Sequence, residues 1–307
     1  MIKVKDIAYV RFAAPDLDAM ERFLTAFGLV ISARHGDRLY ARGTDPSPYL
    51  HVTERGDAGF RGVAFEAAEA EDLAAAAKLE GASAPERLDA PGGGQRVRFT
   101  DPDGFAVEIV YGREPLAPLP VRRAAPLNRG SDRQRWGELQ RVEAGPAGIK
   151  RLGHAVLRVS DFQTSEKWYK TRFGFISSDE IYAGKRDNII TSFMRCDRGE
   201  EYTDHHTLLC VGVGAAGFDH AAFEVEDIDA VMLGHEHLKQ ADYEHHAGIG
   251  RHLLGSQIFD YWRDPWGHVL EHFTDGDLLN NQHETGLHDP RAALATQWGR
   301  FGPQVGP

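Results

Sequence analysis

An internal duplication constrains this chain more than any other feature of its 307 residues. Phe99-Thr100-Asp101-Pro102-Asp103-Gly104-Phe105-Ala106-Val107-Glu108 and Trp262-Arg263-Asp264-Pro265-Trp266-Gly267-His268-Val269-Leu270-Glu271 share Asp-Pro-x-Gly-x-x-x-Glu. That pattern is a turn followed by a strand that carries a carboxylate. Upstream, Ala14-Pro15-Asp16-Leu17 matches Val159-Ser160-Asp161-Phe162, and Phe27-Gly28-Leu29 matches Phe173-Gly174-Phe175. Between these, Phe60-Arg61-Gly62-Val63-Ala64-Phe65-Glu66 matches Phe218-Asp219-His220-Ala221-Ala222-Phe223-Glu224. The offset grows from 146 to 158 to 163 along the chain and never falls, as one duplicated unit with insertions in its second copy requires.

Each copy has the same predicted order. A strand (7–12; 152–159) leads to a helix with Asp at its start (16–27; 161–173) that stops at Gly28 or Gly174. Strands with apolar alternation follow, among them 189–195 and 207–213. A further strand (62–66; 220–225) precedes a second helix, 70–80 or 227–239, and a final strand pair closes on Glu108 or Glu271. The expected class is α+β: two tandem modules, each of paired βαβββ units whose curved mixed sheets can enclose a pocket. The expected boundaries are a first module at 1–111, an Arg-, Pro- and Gly-rich linker at 112–150, a second module at 151–275 and a polar tail at 276–307. Trp298 and Phe301 are the tail's large apolar anchors, and the tail either docks as a lid or frays.

Composition narrows the function. With 46 Asp+Glu against 35 Lys+Arg the net charge is −11, which argues against a binder of nucleic-acid phosphates. No apolar run approaches a membrane span and residues 1–6 have no signal-peptide core, so a soluble cytoplasmic protein with no membrane partner is expected. Cys196 and Cys210 are the only cysteines, too few for a disulfide framework and without the context of a nucleophile. Gly92-Gly93-Gly94 lacks the Lys-Ser/Thr of a phosphate loop and reads as a hairpin turn. Of 15 His, only His35 and His51 precede residue 150, so the two halves are expected to do different jobs. His235, His237, His245 and His246 fall in a polar stretch, 234–246, that reads as a solvated helix face and its exit. His283 and His288 read as surface residues of the tail.

Comparing the copies separates chemistry from scaffold. Tyr9, Gly62 and Glu108 of the first copy match His154, His220 and Glu271 of the second. Either histidine alone reads as a satisfied core residue. Together, delivered by separate strands beside a carboxylate, they form a two-His-one-carboxylate face for a metal. That set leaves three positions open on non-haem Fe(II), and it suits Mn(II) as well. The first copy has no imidazole at these places, so Glu108 is expected to be structural.

At these residues the chain resembles the two-domain extradiol ring-cleavage dioxygenases of the vicinal oxygen chelate superfamily. Gly250-Arg251-His252, then Tyr261-Trp262-Arg263-Asp264-Pro265-Trp266-Gly267 and Glu271, follow that family's signature of Gly-x-His, apolar-Tyr, Pro-x-Gly and Glu. His205-His206-Thr207-Leu208 is similar to the strand that precedes its second metal ligand. The likeness covers roughly residues 1–275, with its diagnostic residues all in the second module. Asp260 departs from the pattern, standing where the family prefers an apolar residue, and strand alternation is expected to point it away from the Tyr261 face.

The resemblance implies roles. His154, His220 and Glu271 would be the Fe(II) ligands. His206 would stand beside the O₂ position, stabilising negative charge that develops on oxygen and returning a proton. His205 should face the other way on the same strand. His252 and Tyr261 would hydrogen-bond the substrate hydroxyls. The implied reaction is O₂-dependent opening of a catechol-type ring next to, rather than between, its hydroxyls, in aromatic degradation, by a homo-oligomer. Phe193, Ile190, His252 and Trp266 are candidate pocket walls, and no Arg pair can be assigned to a substrate carboxylate. A metal-dependent glyoxalase-like isomerase or lyase, and a small-molecule sequestration protein, are the competing readings within the superfamily.

Overall fold

The computed structural model describes residues 2–299, so Phe301 lies outside the described residues. The fold is mixed α+β, with strand-rich curled sheets in two halves. In the first half, Val4–Ala14 runs antiparallel to Gly59–Ala67, which runs parallel to Ala106–Tyr111. In the second, Arg151–Val159 runs antiparallel to Gly217–Glu224, which runs parallel to Val269–Thr274. The eight-stranded first sheet has the same strand order as the central eight of the ten-stranded second sheet.

Local chemistry starts and stops the first helix of each half where the sequence predicts. The Asp16 carboxylate accepts from the backbone N–H groups of Asp18 and Ala19 to open Leu17–Phe27, and Gly28 closes it at φ 108°. Asp161 and Gly174 do the same for Phe162–Phe173. The second helix of the first half, Ala70–Ala76, is shorter than predicted. Beyond it, Lys78 and Leu79 donate to the carbonyls of Ala75 and Ala76 at 3.0 Å, the tighter spacing of a 3₁₀ turn. Its counterpart, Ile228–Gln240, ends in a turn with Asp242 at φ 62°. His245 and His246 therefore open a strand, His245–His252, and do not belong to a helix exit.

One hydrophobic cluster runs through both halves. Phe12 meets Phe218 at 5.2 Å, Phe27 meets Phe223 at 5.7 Å and Phe65 meets Phe175 at 5.1 Å, all edge to face. Such pairs add ~0.5–1.5 kcal/mol each beyond their buried area. Residues 112–150 contain no helix or strand. The tail, by contrast, docks. Gly286–His288 extends one edge of the second sheet, Thr296–Gly299 extends the other, and the short helix Pro290–Leu294 crosses between them. Among the described residues, no helix is long and apolar enough to cross a membrane.

Candidate metal centre

Three neighbouring strands of the second sheet supply the site. His154 and Glu271 both lie opposite Ala222, and Tyr261 lies opposite Glu271 on the next strand, so register alone brings them to one face. His154 Nε2 is 3.4 Å and His220 Nε2 3.3 Å from Glu271 Oε2. Neither oxygen of this fully buried carboxylate has a hydrogen bond, which costs free energy unless another partner takes up the charge. A divalent cation is such a partner, and two imidazoles with one carboxylate suit it. Burial raises the proton affinity of Glu271, but the two imidazoles outweigh it and hold the carboxyl well below the usual range. Gly153 is what admits this arrangement, since a Cβ there would lie 2.3 Å from the Phe273 ring.

Asp219, which sequence reasoning missed, orients His220. Its Oδ1 lies 2.8 Å from His220 Nδ1, fixing that nitrogen as a donor and turning Nε2 toward Glu271. Adjacent strand residues normally face opposite ways, so alternation gives no hint of the pair. Here the register slips between Phe218 and His220, and this bulge brings Asp219 and His220 together. Burial opposes charge on His220, yet Asp219 and Glu271 raise it to about 9.

Beside these residues is an apolar cavity of about 240 Å³. Val156, Phe193, Leu209, Val211, Leu254 and Leu294 line it, together with His206, His252 and Tyr261. His252 Nε2 lies 2.9 Å from the Tyr261 hydroxyl, and the imidazole stacks on Phe259 at 4.1 Å. Burial lowers His252 to about 4 and pushes Tyr261 well above its usual value, the Glu271 charge adding to the latter, so both are neutral near pH 7. His206 packs on His154 with ring centroids 4.0 Å apart, and burial pushes it well down. Of the other expected walls, Thr191 and Phe193 take the lining face of their strand while Ile190 packs at the margin. Trp266 sits away from the cavity, in a turn bonded to Asp264, and packs against the main core.

Several histidines expected to face away from the site or to lie at the surface are engaged. His205 and His206 precede the strand Leu208–Gly212, so alternation does not separate them. Their Nδ1 atoms are 3.0 Å apart, and His205 Nε2 is 2.7 Å from Asp179. Asp179 also takes His288 Nε2 at 2.7 Å, which ties the tail to this chain of rings. His235 and His245 are not a solvated helix face, because both turn onto the carboxylate of buried Asp260, while His246 Nδ1 meets Arg263. Asp260 does face away from Tyr261, and His272, its cross-strand partner, reaches the backbone carbonyl of Phe27 at 2.6 Å.

The equivalent place in the first half is chemically different. Glu108 is fully buried and takes hydrogen bonds from Tyr9 and Arg11 at 2.5 Å and from Arg96 at 3.2 Å. Guanidinium groups there neutralise the carboxylate. A structural Glu108 is what that arrangement supports.

The model of the Glyoxalase/Bleomycin resistance protein/Dioxygenase superfamily matches residues 151–272. Metapyrocatechase 2 of Cupriavidus necator is 31% identical over 280 residues, covering 90% of this chain and 82% of the relative. Biphenyl-2,3-diol 1,2-dioxygenase of Sphingomonas paucimobilis is 23% identical, with 88% of each chain covered. Among solved structures, the Mn(II)-bound glyoxalase from Novosphingobium aromaticivorans superposes with a TM-score of 0.80 at 24% identity, covering all of this chain and 95% of the other. Homoprotocatechuate 2,3-dioxygenase from Brevibacterium fuscum gives 0.76 at 19% identity, covering 94% and 86%. The two superpositions establish the fold, and the identity to the Cupriavidus enzyme along nearly the whole chain establishes the family. The chain belongs to the extradiol ring-cleavage dioxygenases of the vicinal oxygen chelate superfamily.

Proposed function

We propose that this enzyme opens a catechol-type ring beside its two hydroxyls and adds both atoms of O₂, in the breakdown of aromatic compounds. One observation carries the reading: a buried carboxylate without a hydrogen bond meets two imidazoles at the wall of an apolar cavity that His206, His252 and Tyr261 also line. His154, His220 and Glu271 would hold Fe(II), with Mn(II) suited to the same donors. The ion, when bound, supplies the open positions at which a catecholate and O₂ are held side by side.

The chain's own residues supply the rest. The Tyr261 phenol stays protonated and donates to the deprotonated substrate oxygen, while His252 holds the phenol in place. His206 Nδ1 is engaged by His205, which leaves Nε2 as the nitrogen that exchanges a proton with the reacting oxygen. With Asp179 ionised, His205 donates from Nε2 to the carboxylate and accepts at Nδ1 from His206 Nδ1–H, which leaves His206 Nε2 bare and able to take a proton from the reacting substrate and return it. Among the described residues no Lys or Arg lines the cavity, and its volume is below the ~300 Å³ at which drug-sized sites begin. A single-ring catechol, bare or with a small uncharged substituent, fits these limits. Residues 151–275 would carry the chemistry, with 1–111 as scaffold, in a soluble cytoplasmic homo-oligomer.

Aerobic mixing of the Fe(II)-loaded protein with catechol, 3-methylcatechol and 4-chlorocatechol tests this. A yellow ring-opened product is expected, with carboxylated catechols turned over far more slowly. Verified iron with no colour from any catechol would overturn the reading and favour isomerase or sequestration chemistry.

A further inference from the structure

Behind the Tyr261 strand, on the face away from the cavity, lies a second convergence of ligand-type atoms. His235 comes from the helix Ile228–Gln240, His245 from the strand His245–His252 and Asp260 from the strand Ile258–Arg263. One ligand atom of each lies within 4.8 Å of the others. His235 Nδ1 is 3.2 Å from both Asp260 oxygens, and His245 Nε2 is 2.8 Å from Oδ1. We propose that His235 Nδ1, His245 Nε2 and the Asp260 carboxylate form a second cation site, for a divalent transition ion with Zn²⁺ foremost.

Four observations support it. First, the spacing is close to what a metal demands. Bonds of ~2.0–2.2 Å in a tetrahedral site place donor atoms roughly 3.3 Å apart, so each histidine nitrogen is within a few tenths of an ångström of the spacing from Asp260 that a shared ion requires. Second, the carboxylate is already oriented. Trp262 Nε1–H donates to Oδ2 at 2.5 Å, the outer hydrogen bond that commonly fixes a ligating carboxylate. Third, room is kept above it. A Cβ on Gly248 would lie 2.9 Å from Asp260 Oδ1, and Gly248 has φ 118°. Fourth, the site is reachable. Asp260 is fully buried but the His245 side chain is 32% exposed, so an ion can enter from solvent and keep water in its remaining position. The cation would pin the helix to the sheet through three separate elements. It would replace the histidine–aspartate hydrogen bonds that hold the cluster otherwise.

Metal counting distinguishes this site from the cavity site. Protein stripped with chelator and dialysed against Zn²⁺ is expected to retain two equivalents. His245→Ala should retain one, and so should His220→Ala, while the double variant retains none. Losing an outer hydrogen-bond partner alone weakens metal sites by ~10–100-fold, and His245→Ala removes a ligand, so the second equivalent should weaken by at least that factor. His235→Gln repeats the test if His245→Ala fails to fold by circular dichroism. Zn²⁺ should raise the midpoint of thermal unfolding of His220→Ala and not that of the double variant. A native protein whose only equivalent is lost in His220→Ala and kept in folded His245→Ala overturns the proposal and leaves a hydrogen-bonded cluster only. Two equivalents that both survive folded His245→Ala and His235→Gln overturn it equally.

Discussion

The Nδ1 atoms of His205 and His206 face each other across 3.0 Å, and the outer nitrogen of His205 rests 2.7 Å from Asp179. A ring held in this way has its tautomer set by the next ring. His206→Phe is expected to leave iron and substrate binding largely intact and to slow turnover by ~10²–10⁴-fold, the usual worth of a general acid–base group. Asp179→Asn should act through His205 and cost less, about 10–100-fold, in kcat and little in KM. Stopped-flow detection of the ring-opened product separates the two parameters. An Asp179→Asn effect confined to KM would show that the carboxylate shapes the cavity and does not govern the proton.

Iron retention should follow the convergence of His154, His220 and Glu271. His220→Ala is expected to abolish iron binding and activity together, because it removes a ligand and leaves Glu271 buried beside a single imidazole. Asp219→Asn keeps all three ligands and loses only the orienting charge, so affinity should fall about 10–100-fold, with activity recoverable at high Fe(II). Iron content after gel filtration, measured across an Fe(II) series, checks both. Equal and irreversible loss in the two variants would mean that Asp219 holds the strand and does not tune the ligand.

Glu108 predicts the opposite behaviour in the first half. Arg11→Met removes one of the two guanidinium groups on this carboxylate, while Arg96 and Tyr9 remain. Stability should fall by roughly 1–3 kcal/mol, the cost of a buried charged group short of a partner, with kcat at 15 °C unchanged. Urea unfolding monitored by tryptophan fluorescence measures the loss. A variant of native stability would show that Arg96 alone neutralises Glu108.

The duplication made the architecture and the His154–His220–Glu271 set legible in the sequence, since matched positions need only be compared to see where imidazoles replace Tyr9 and Gly62. Caps were legible too, because Asp16, Gly28, Asp161 and Gly174 act within a few residues of themselves. What stayed hidden depends on departures from regular periodicity or on distant pairing. Asp219 joins the site through a bulge, and His205 contacts His206 because both precede their strand. His235, His245 and Asp260 lie on three elements, and a polar helix stretch reads as solvated until its neighbour is known. The docked tail rests on edge pairing, which the composition of residues 276–299 does not announce.

His51 ties stability to pH. It is 1% exposed, stacks on Phe12 with centroids 4.8 Å apart, and its Nδ1 meets Thr53 Oγ1 at 3.3 Å. Burial lowers its pKa from 6.5 to about 3, against the opposing charge of Asp264. The unfolded chain therefore takes up a proton below about pH 6.5 that the folded chain refuses until about pH 3, so this contribution is intact above the upper value and is lost as pH falls between the two. Its slope is ~1.4 kcal/mol per pH unit well inside that window. His51→Phe keeps a flat ring against Phe12 and removes the titration. Other buried histidines contribute to both proteins alike, so the difference isolates this residue. Unfolding free energies of the metal-free protein in urea at pH 7.5, 6.0 and 5.0 should fall more steeply for the native chain than for the variant, with the gap opening below pH 6.5. Parallel curves would mean that His51 is hydrated or protonated in the folded state, contrary to its packing on Phe12.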